Sequence, residues 1–153
     1  LMPRWHLLVR GEVGASLVKD FNELPGIYRF FAGGDRSVRG FGYNELSPRE
    51  PVRLRSALAN DDPSDDAPVL LPTGGRHLLF GSVEVARDLP RNLAVATFFD
   101  VGNAFNRFGD PLEYSAGVGL RFRLPVVTIG IDVAKPLSTS GSPRLHLNIS
   151  PRL

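Results

Sequence analysis

The chain has 153 residues, and its 18 lysines and arginines against 16 acidic residues give a formal net charge of +2. The arginines are scattered and often stand beside acids, whereas a nucleic-acid-binding protein needs a clustered basic face, so we predict no nucleic-acid partner. Cysteine is absent, which excludes disulfides, thiolate metal sites and a cysteine nucleophile. Because the chain opens with Leu1 and Met2 and carries no export signal, we expect it to be a piece of a longer protein whose signal lies upstream.

Six segments alternate apolar and polar residues with a period of two, which predicts β-strands and an all-β fold. In the fourth segment, for example, Val118 and Leu120 oppose Gly119 and Arg121. No apolar run reaches the roughly 18 residues that a membrane-spanning helix requires. The predicted strands are 5–17, 75–87, 93–102, 114–123, 127–134 and 144–153.

The connections between these strands alternate between long and short. Long loops at 18–73, 103–113 and 136–143 fall at one end of the predicted sheet, and short turns near 90 and 125 fall at the other. This layout is typical of an antiparallel transmembrane β-barrel of the outer membrane, whose strands need only about 9 to 11 residues each and whose outer face contacts lipid. Alternation alone fits a soluble β-sandwich binding module equally well, so both alternatives stay open at this point.

The sequence offers weak candidates for metal or cofactor sites. The three histidines, His6, His77 and His146, lie on different predicted strands, and His77 points away from the other two by strand phase. The acidic run 61–66 lacks the ligand spacing of a known calcium loop, and we expect it to be solvated and mobile. No Gly-x-Ser-x-Gly or phosphate-binding motif occurs. We therefore predict no metal, no cofactor and no catalytic residue.

The most informative segment is 30–41, FFAGGDRSVRGF, inside the long region 18–73, where several prolines predict irregular structure. It combines glycines, which permit unusual backbone conformations, with apolar anchors and one central arginine. This run resembles the signature loop of the BamA/TamA superfamily of outer-membrane protein assembly factors. The matching signature-loop residues are Gly33, Gly34, Val38, Gly40 and Phe41.

The resemblance extends through further segments in the family's order, at 81–84, 98–105, 115–121 and 131–137. It implies a sixteen-stranded barrel with POTRA domains upstream, of which residues 1–153 would be the last six strands, with the signature loop folded inward. It also implies that Arg39 pairs inside the barrel with two acids, Glu84 and Asp100. The strand phase agrees, because it places Glu84 on the polar face, and an arginine can fork two carboxylates.

The ending 145–153 is most similar to the TamA branch, whose last strand also closes with a proline before a terminal leucine. In the family this strand pairs weakly with the first strand of the barrel, at a seam that opens for client strands. The proline at this end cannot donate a hydrogen bond to a neighbouring strand, and Asn148 and Ser150 stand where the branch favours glycine. The seam-strand residues are Leu145, Leu147, Asn148, Ile149 and Pro151.

The resemblance implies a non-enzymatic factor of the bacterial outer membrane that inserts or secretes unfolded β-barrel and autotransporter clients. Outer-membrane lipid and an inner-membrane-anchored TamB-like protein are the other partners it implies. Two alternatives use the same kind of barrel: a two-partner secretion transporter, and a patatin-type phospholipase fusion whose chemistry would lie upstream.

Overall fold

The computed structural model describes residues 4–52 and 69–151, which form eight strands and one short 3-10 turn, Gly26–Tyr28. The eight strands are β1 (Trp5–Ala15), β2 (Arg49–Val52), β3 (Val69–Pro72), β4 (His77–Leu89), β5 (Leu93–Phe105), β6 (Glu113–Arg123), β7 (Val127–Pro136) and β8 (Arg144–Pro151). Six of them make one antiparallel sheet in the order β1-β4-β5-β6-β7-β8, and β2 pairs with β3 in a separate ribbon. The predicted all-β antiparallel fold is confirmed. Among the described residues, no helix has the length and apolarity needed to cross a membrane.

The β4–β5 hairpin is longer than the alternation predicts. Its strands pair up to Leu89 and Leu93 across a tight turn, in which Arg91 and Asn92 adopt left-handed backbone angles with φ of 63° and 59°. At the opposite end β5 continues to Phe105, through residues that we expected to form a loop. A strand extends beyond its alternating residues when the turn geometry and the pairing with a neighbouring strand allow it. The periodicity of the sequence contains no information about the turn or the pairing.

The region 18–73 is not irregular throughout, in contrast to the prediction from its prolines. β2 and β3 form a two-stranded ribbon in which Pro51 faces Leu70. Both strands of such a ribbon have a free edge, and proline is tolerated where its missing N–H faces away from the partner strand. The acidic run 61–66, for which we expected a solvated loop, lies outside the described residues.

The six-stranded sheet has an aliphatic face and a polar face, because successive side chains of a strand point to opposite sides. On the aliphatic face Val83, Val118 and Leu147 are 45% to 60% exposed. Within the described ranges, the β2–β3 ribbon contacts none of the six strands, so no second sheet covers this face. A soluble β-sandwich buries its apolar face against another sheet. Among the described residues, the sheet therefore lacks the second layer that a β-sandwich requires.

The buried core lies on the other side of the sheet, where the loop segment 30–46 packs against the polar face. Apolar side chains of the loop contact Leu78 and Phe80 at the start of β4 and Ala104 at the end of β5. At these positions the inward-facing residues of the two strands are apolar and not polar. This packing holds the segment that carries Arg39 against the middle of the sheet. The core consists of Ala32, Val38, Phe41, Leu46, Leu78, Phe80 and Ala104, with Phe30 packed against it.

Candidate functional site

The signature loop is held by two buried anchors on either side of Arg39. Val38 and Phe41 both belong to the core between loop and sheet. The preceding turn uses Gly33 and Gly34, whose φ angles of 99° and 101° lie in the region that favours glycine. The loop therefore holds the side chain of Arg39 against the polar face of the sheet with little conformational freedom.

Gly40 allows the loop to approach the strands more closely than any other residue would. Its φ is 103°, and a Cβ atom there would lie 3.0 Å from the Cβ of Ser115 and 3.1 Å from the nitrogen of Pro136. The Ser115 hydroxyl donates a hydrogen bond to the carbonyl of Arg39. Glycine is thus required by both backbone conformation and space.

Arg39 is 2% exposed and donates hydrogen bonds to acids on three strands. Its Nε and Nη2 bond the two oxygens of Asp100 on β5 at 2.8 and 2.9 Å. Its Nη1 bonds Glu84 on β4 at 2.9 Å and Asp132 on β7 at 3.2 Å, and Ser82 accepts a longer bond of 3.3 Å from Nη2. The structure thus brings together all three residues that the resemblance singled out, Arg39, Glu84 and Asp100, and adds a third acid.

The guanidinium group of Arg39 also lies on an aromatic ring. Its central carbon is 3.4 Å from the centroid of the Phe98 ring on β5, which is the stacking geometry of a cation–π contact. Burial by itself lowers the pKa of Arg39, but the hydrogen bonds and charge of Asp100, followed by those of Glu84, outweigh it and leave the pKa raised. The loop arginine is therefore permanently charged.

A second arginine, Arg121 on β6, completes the cluster. It bonds Glu84 through Nε at 3.2 Å and Nη2 at 2.8 Å, and it bonds both oxygens of Asp132, with 3.2 Å to Oδ2. Glu84 and Asp132 are thus each shared by two guanidinium groups. We call Arg39, Glu84, Asp100, Arg121 and Asp132 the arginine cluster; a buried charge network of this kind is stable only when every member is paired.

The cluster has two cations and three carboxylates, so its net charge is −1. A third guanidinium, that of Arg10 on β1, faces it from the strand beside β4. It is repelled by the charge of Arg39 and attracted by the charges of Asp100 and Glu84. The Nε of Arg10 is buried and has no hydrogen-bond partner among the described residues. Arg10 therefore adds a positive charge beside the cluster without an Nε hydrogen bond to it.

The seam-strand residues divide between the two faces of β8. Leu145, Leu147 and Ile149 are exposed on the aliphatic face. Asn148 lies on the polar face and donates to Asp132 at 3.1 Å, and Pro151 lies in register with Val127 of β7. In the described part of the chain the other edge of β8 is unpaired.

The histidines are distributed as the strand phase predicts. His6 and His146 lie opposite the polar-face residues Ala86 and Asp132, and His77 lies on the other face, where its ring meets those of Phe105 and Phe108. Across residues 4–52 and 69–151, no three His or acidic side chains are placed to hold a metal ion.

Comparison with known proteins identifies the family. Residues 2–150 match the model of the Omp85 superfamily domain. The chain belongs to the Omp85 superfamily. This membership places it in the bacterial outer membrane, as the loop signature implied.

A curated relative, the outer membrane protein assembly factor BamA of Nitratidesulfovibrio vulgaris, is 28% identical over 155 residues. The match covers 95% of this chain and 17% of that protein. The crystal structure of BamA from Haemophilus ducreyi lacking POTRA domains 1-3 superposes with a TM-score of 0.72 over 97% of this chain and 32% of that one, at 18% identity. This structural similarity shows that the chain has the same fold as the matched part of that structure. The chain thus spans less than a third of the length of either of these two chains.

Two of the three acids of the arginine cluster, Glu84 and Asp100, were predicted from the sequence, whereas Arg121 and Asp132 were not. A signal for both was available, because the alternation places them on the same polar face as Glu84. Alternation identifies the face of the sheet on which a residue lies. It does not identify which residues of the neighbouring strands lie beside it, because that depends on the register between strands.

Proposed function

We propose that this chain forms the last six strands of a sixteen-stranded barrel, and that the whole protein inserts or translocates other outer-membrane proteins through a lateral seam. The arginine cluster carries the proposal, because it fixes one loop on the polar face while the aliphatic face is left for lipid. Six strands are fewer than the roughly eight of the smallest membrane barrels. The unpaired edges of β1 and β8 are therefore expected to pair with strands upstream.

In this proposal the polar face lines the lumen, and the signature loop folds inward from the cell surface. The loop then acts as an internal support that holds the wall of the barrel next to the seam. Client strands pair with an open strand edge at that seam, and the free energy comes from strand pairing and folding. The protein therefore works as an assembly factor without a cofactor or a catalysed reaction.

Within the family, the ending of β8 favours the TamA branch, with autotransporter clients and a TamB-like partner in the inner membrane. Pro151 supports a weak seam, because a proline at this edge cannot donate a hydrogen bond to a neighbouring strand. The second candidate is a BamA-type factor that serves outer-membrane proteins generally. The 28% identity to a curated BamA favours this second candidate.

The test is reconstitution of the full-length protein into vesicles of phosphatidylethanolamine and phosphatidylglycerol. Insertion of two unfolded clients, a small outer-membrane barrel and an autotransporter, is followed by their protection from protease. We expect faster insertion than in protein-free vesicles, and slower insertion when Arg39→Ala replaces the wild type. Rates equal to those of protein-free vesicles for both clients would contradict the proposal.

The same experiment separates the two branches. Acceleration of the autotransporter alone, together with co-purification of an inner-membrane-anchored partner, supports the TamA-type function. Acceleration of both clients supports the BamA-type function. A Gly-x-Ser-x-Gly motif and lipase activity in the upstream region would instead indicate the phospholipase fusion, and POTRA repeats there would support assembly.

A further inference from the structure

The polar side of β8 carries three alternate residues that contact the signature loop or the arginine cluster. We call Arg144, His146 and Asn148 the β8 polar strip. Arg144 lies 3.1 Å from the carboxylate of Glu45, which also accepts a bond from the backbone of Gly42. Each contact is a hydrogen bond or an ion pair from the last strand to a different point on the loop or its binding site.

His146 makes the most buried of these contacts and is 7% exposed. Its Nε2 accepts a hydrogen bond of 3.1 Å from the backbone N–H of Gly40, next to Arg39. Because Nε2 accepts, Nδ1 carries the proton of the neutral ring and donates to the carboxylate of Asp35. One imidazole therefore joins β8 to two separate points of the loop.

Asn148 extends the connection into the cluster itself. Its Nδ2 donates to Oδ2 of Asp132 at 3.1 Å, and that oxygen also accepts bonds from Arg39 and Arg121. The amide of Asn148 occupies the space above Gly130 of β7, where a Cβ atom would lie 2.5 Å from Asn148 Oδ1. The asparagine that departs from the TamA pattern thus has a defined partner.

These contacts matter because β8 is bonded along its backbone to β7 alone within the described chain. We propose that the β8 polar strip is a latch through which the seated signature loop holds the last strand in place. His146 is the positioning residue of this latch. Loop seating and strand mobility are then reciprocally coupled: releasing the loop frees β8, and moving β8 loosens the loop. The inference deepens the proposed function, since it names what restrains the seam strand, and its link to client insertion rests on that function.

The test is amide hydrogen exchange on the full-length protein in vesicles, measured for the segments 38–42 and 144–151. His146→Ala removes both hydrogen bonds of the ring. It is expected to accelerate exchange in both segments by at least about tenfold, which is the effect of losing a single hydrogen bond to a buried group. Exchange in β4 and β5 stays unchanged. His146→Gln, whose side-chain oxygen can accept from Gly40, is expected to restore part of the protection.

Asp35→Ala provides a second variant that does not alter the sheet, because Asp35 lies in the loop with a half-exposed side chain. It is expected to accelerate exchange in 144–151, on a different element. Arg36→Ala, at the neighbouring exposed residue, and Leu147→Ala, on the aliphatic face of β8, are the matched controls.

The latch is overturned if His146→Ala and Asp35→Ala leave exchange in 144–151 at the wild-type rate, or if Leu147→Ala has the same effect on 38–42 as His146→Ala. These outcomes are independent of client insertion. Accelerated exchange combined with normal insertion would confirm the latch and contradict its role at the seam.

Discussion

Arg39 and Asp100 contact each other at three points. Nε and Nη2 of the arginine donate to the two carboxylate oxygens at 2.8 and 2.9 Å, and the backbone amide of Arg39 donates to the same carboxylate at 3.1 Å. One fully buried side chain of β5 therefore fixes both the backbone and the side chain of the signature loop. The position of the loop is set by this carboxylate and by the two that flank it.

Replacing Arg39 with alanine is expected to detach the loop. Three carboxylates lose a cation, and breaking a buried ion pair from one side costs about 3 to 5 kcal/mol. Protease digestion of the full-length protein should then cut within 30–46, and client insertion should fall. Arg39→Lys keeps the positive charge but lacks the two-pronged guanidinium group, so its protease cleavage and client insertion should lie between those of the wild type and Arg39→Ala. Wild-type protease resistance in Arg39→Ala would contradict this, and Arg36→Ala is the control.

Asp132 is expected to be as important as the two acids that the family resemblance indicated. Asp132→Ala removes the acceptor shared by Arg39 and Arg121, so two buried guanidinium groups lose a partner. In a double-mutant cycle with Arg39→Ala, we expect a coupling free energy of about 0.5 to 3 kcal/mol from unfolding in urea. Additive effects within error would show that Asp132 does not belong to the cluster. Glu23→Ala, at an exposed loop position, is the acidic control.

Gly40→Ala is expected to lift the loop from the sheet. The left-handed backbone of Gly40 costs an alanine roughly 1 to 2 kcal/mol, and its Cβ would also press on β6 and β7. Gly109→Ala isolates the first cost, because Gly109 has φ of 111° and open space around it. Gly26→Ala, with neither constraint, should be neutral. Equal thermal midpoints for the variants at positions 40 and 109 would show that the close approach is unimportant.

Phe98→Leu is expected to weaken loop seating while leaving the hydrogen bonds of Arg39 in place. Loss of a desolvated cation–π contact corresponds to about 1 to 2 kcal/mol. Phe99→Leu is the matched control, because Phe99 is the next residue of β5 and is 46% exposed on the aliphatic face. The readout is protease cleavage within 30–46. If both variants are cleaved at the same rate, stacking on Phe98 does not hold the loop.

Val118→Arg tests whether the aliphatic face contacts lipid. Val118 lies at the middle of β6 and is 55% exposed, and an arginine near the bilayer midplane destabilises a membrane barrel by about 2 to 4 kcal/mol. We expect less of the full-length protein to be inserted in the outer membrane. Ile27→Arg, in an exposed loop turn, should have no effect. Normal insertion of the Val118 variant would place this face in water.

The amino-acid sequence determined the six strands of the main sheet and their two faces, because a side-chain period of two needs no partner to be recognised. Leu120 and Arg121 fall on opposite faces in the structure, as the alternation requires. The sequence also pointed to Arg39, Glu84 and Asp100 through the signature loop and its family resemblance. These inferences depend only on the order of residues along single segments.

The tertiary structure decided which polar residues meet. Arg121 and Asp132 reach the cluster because the stagger of β6 and β7 brings them to the height of Arg39, and His146 reaches Gly40 because the loop crosses the whole polar face. It also decided that no second sheet covers the aliphatic side of the described strands. Register and loop path depend on pairing between segments far apart in the chain, and the alternation within one segment carries no information about them.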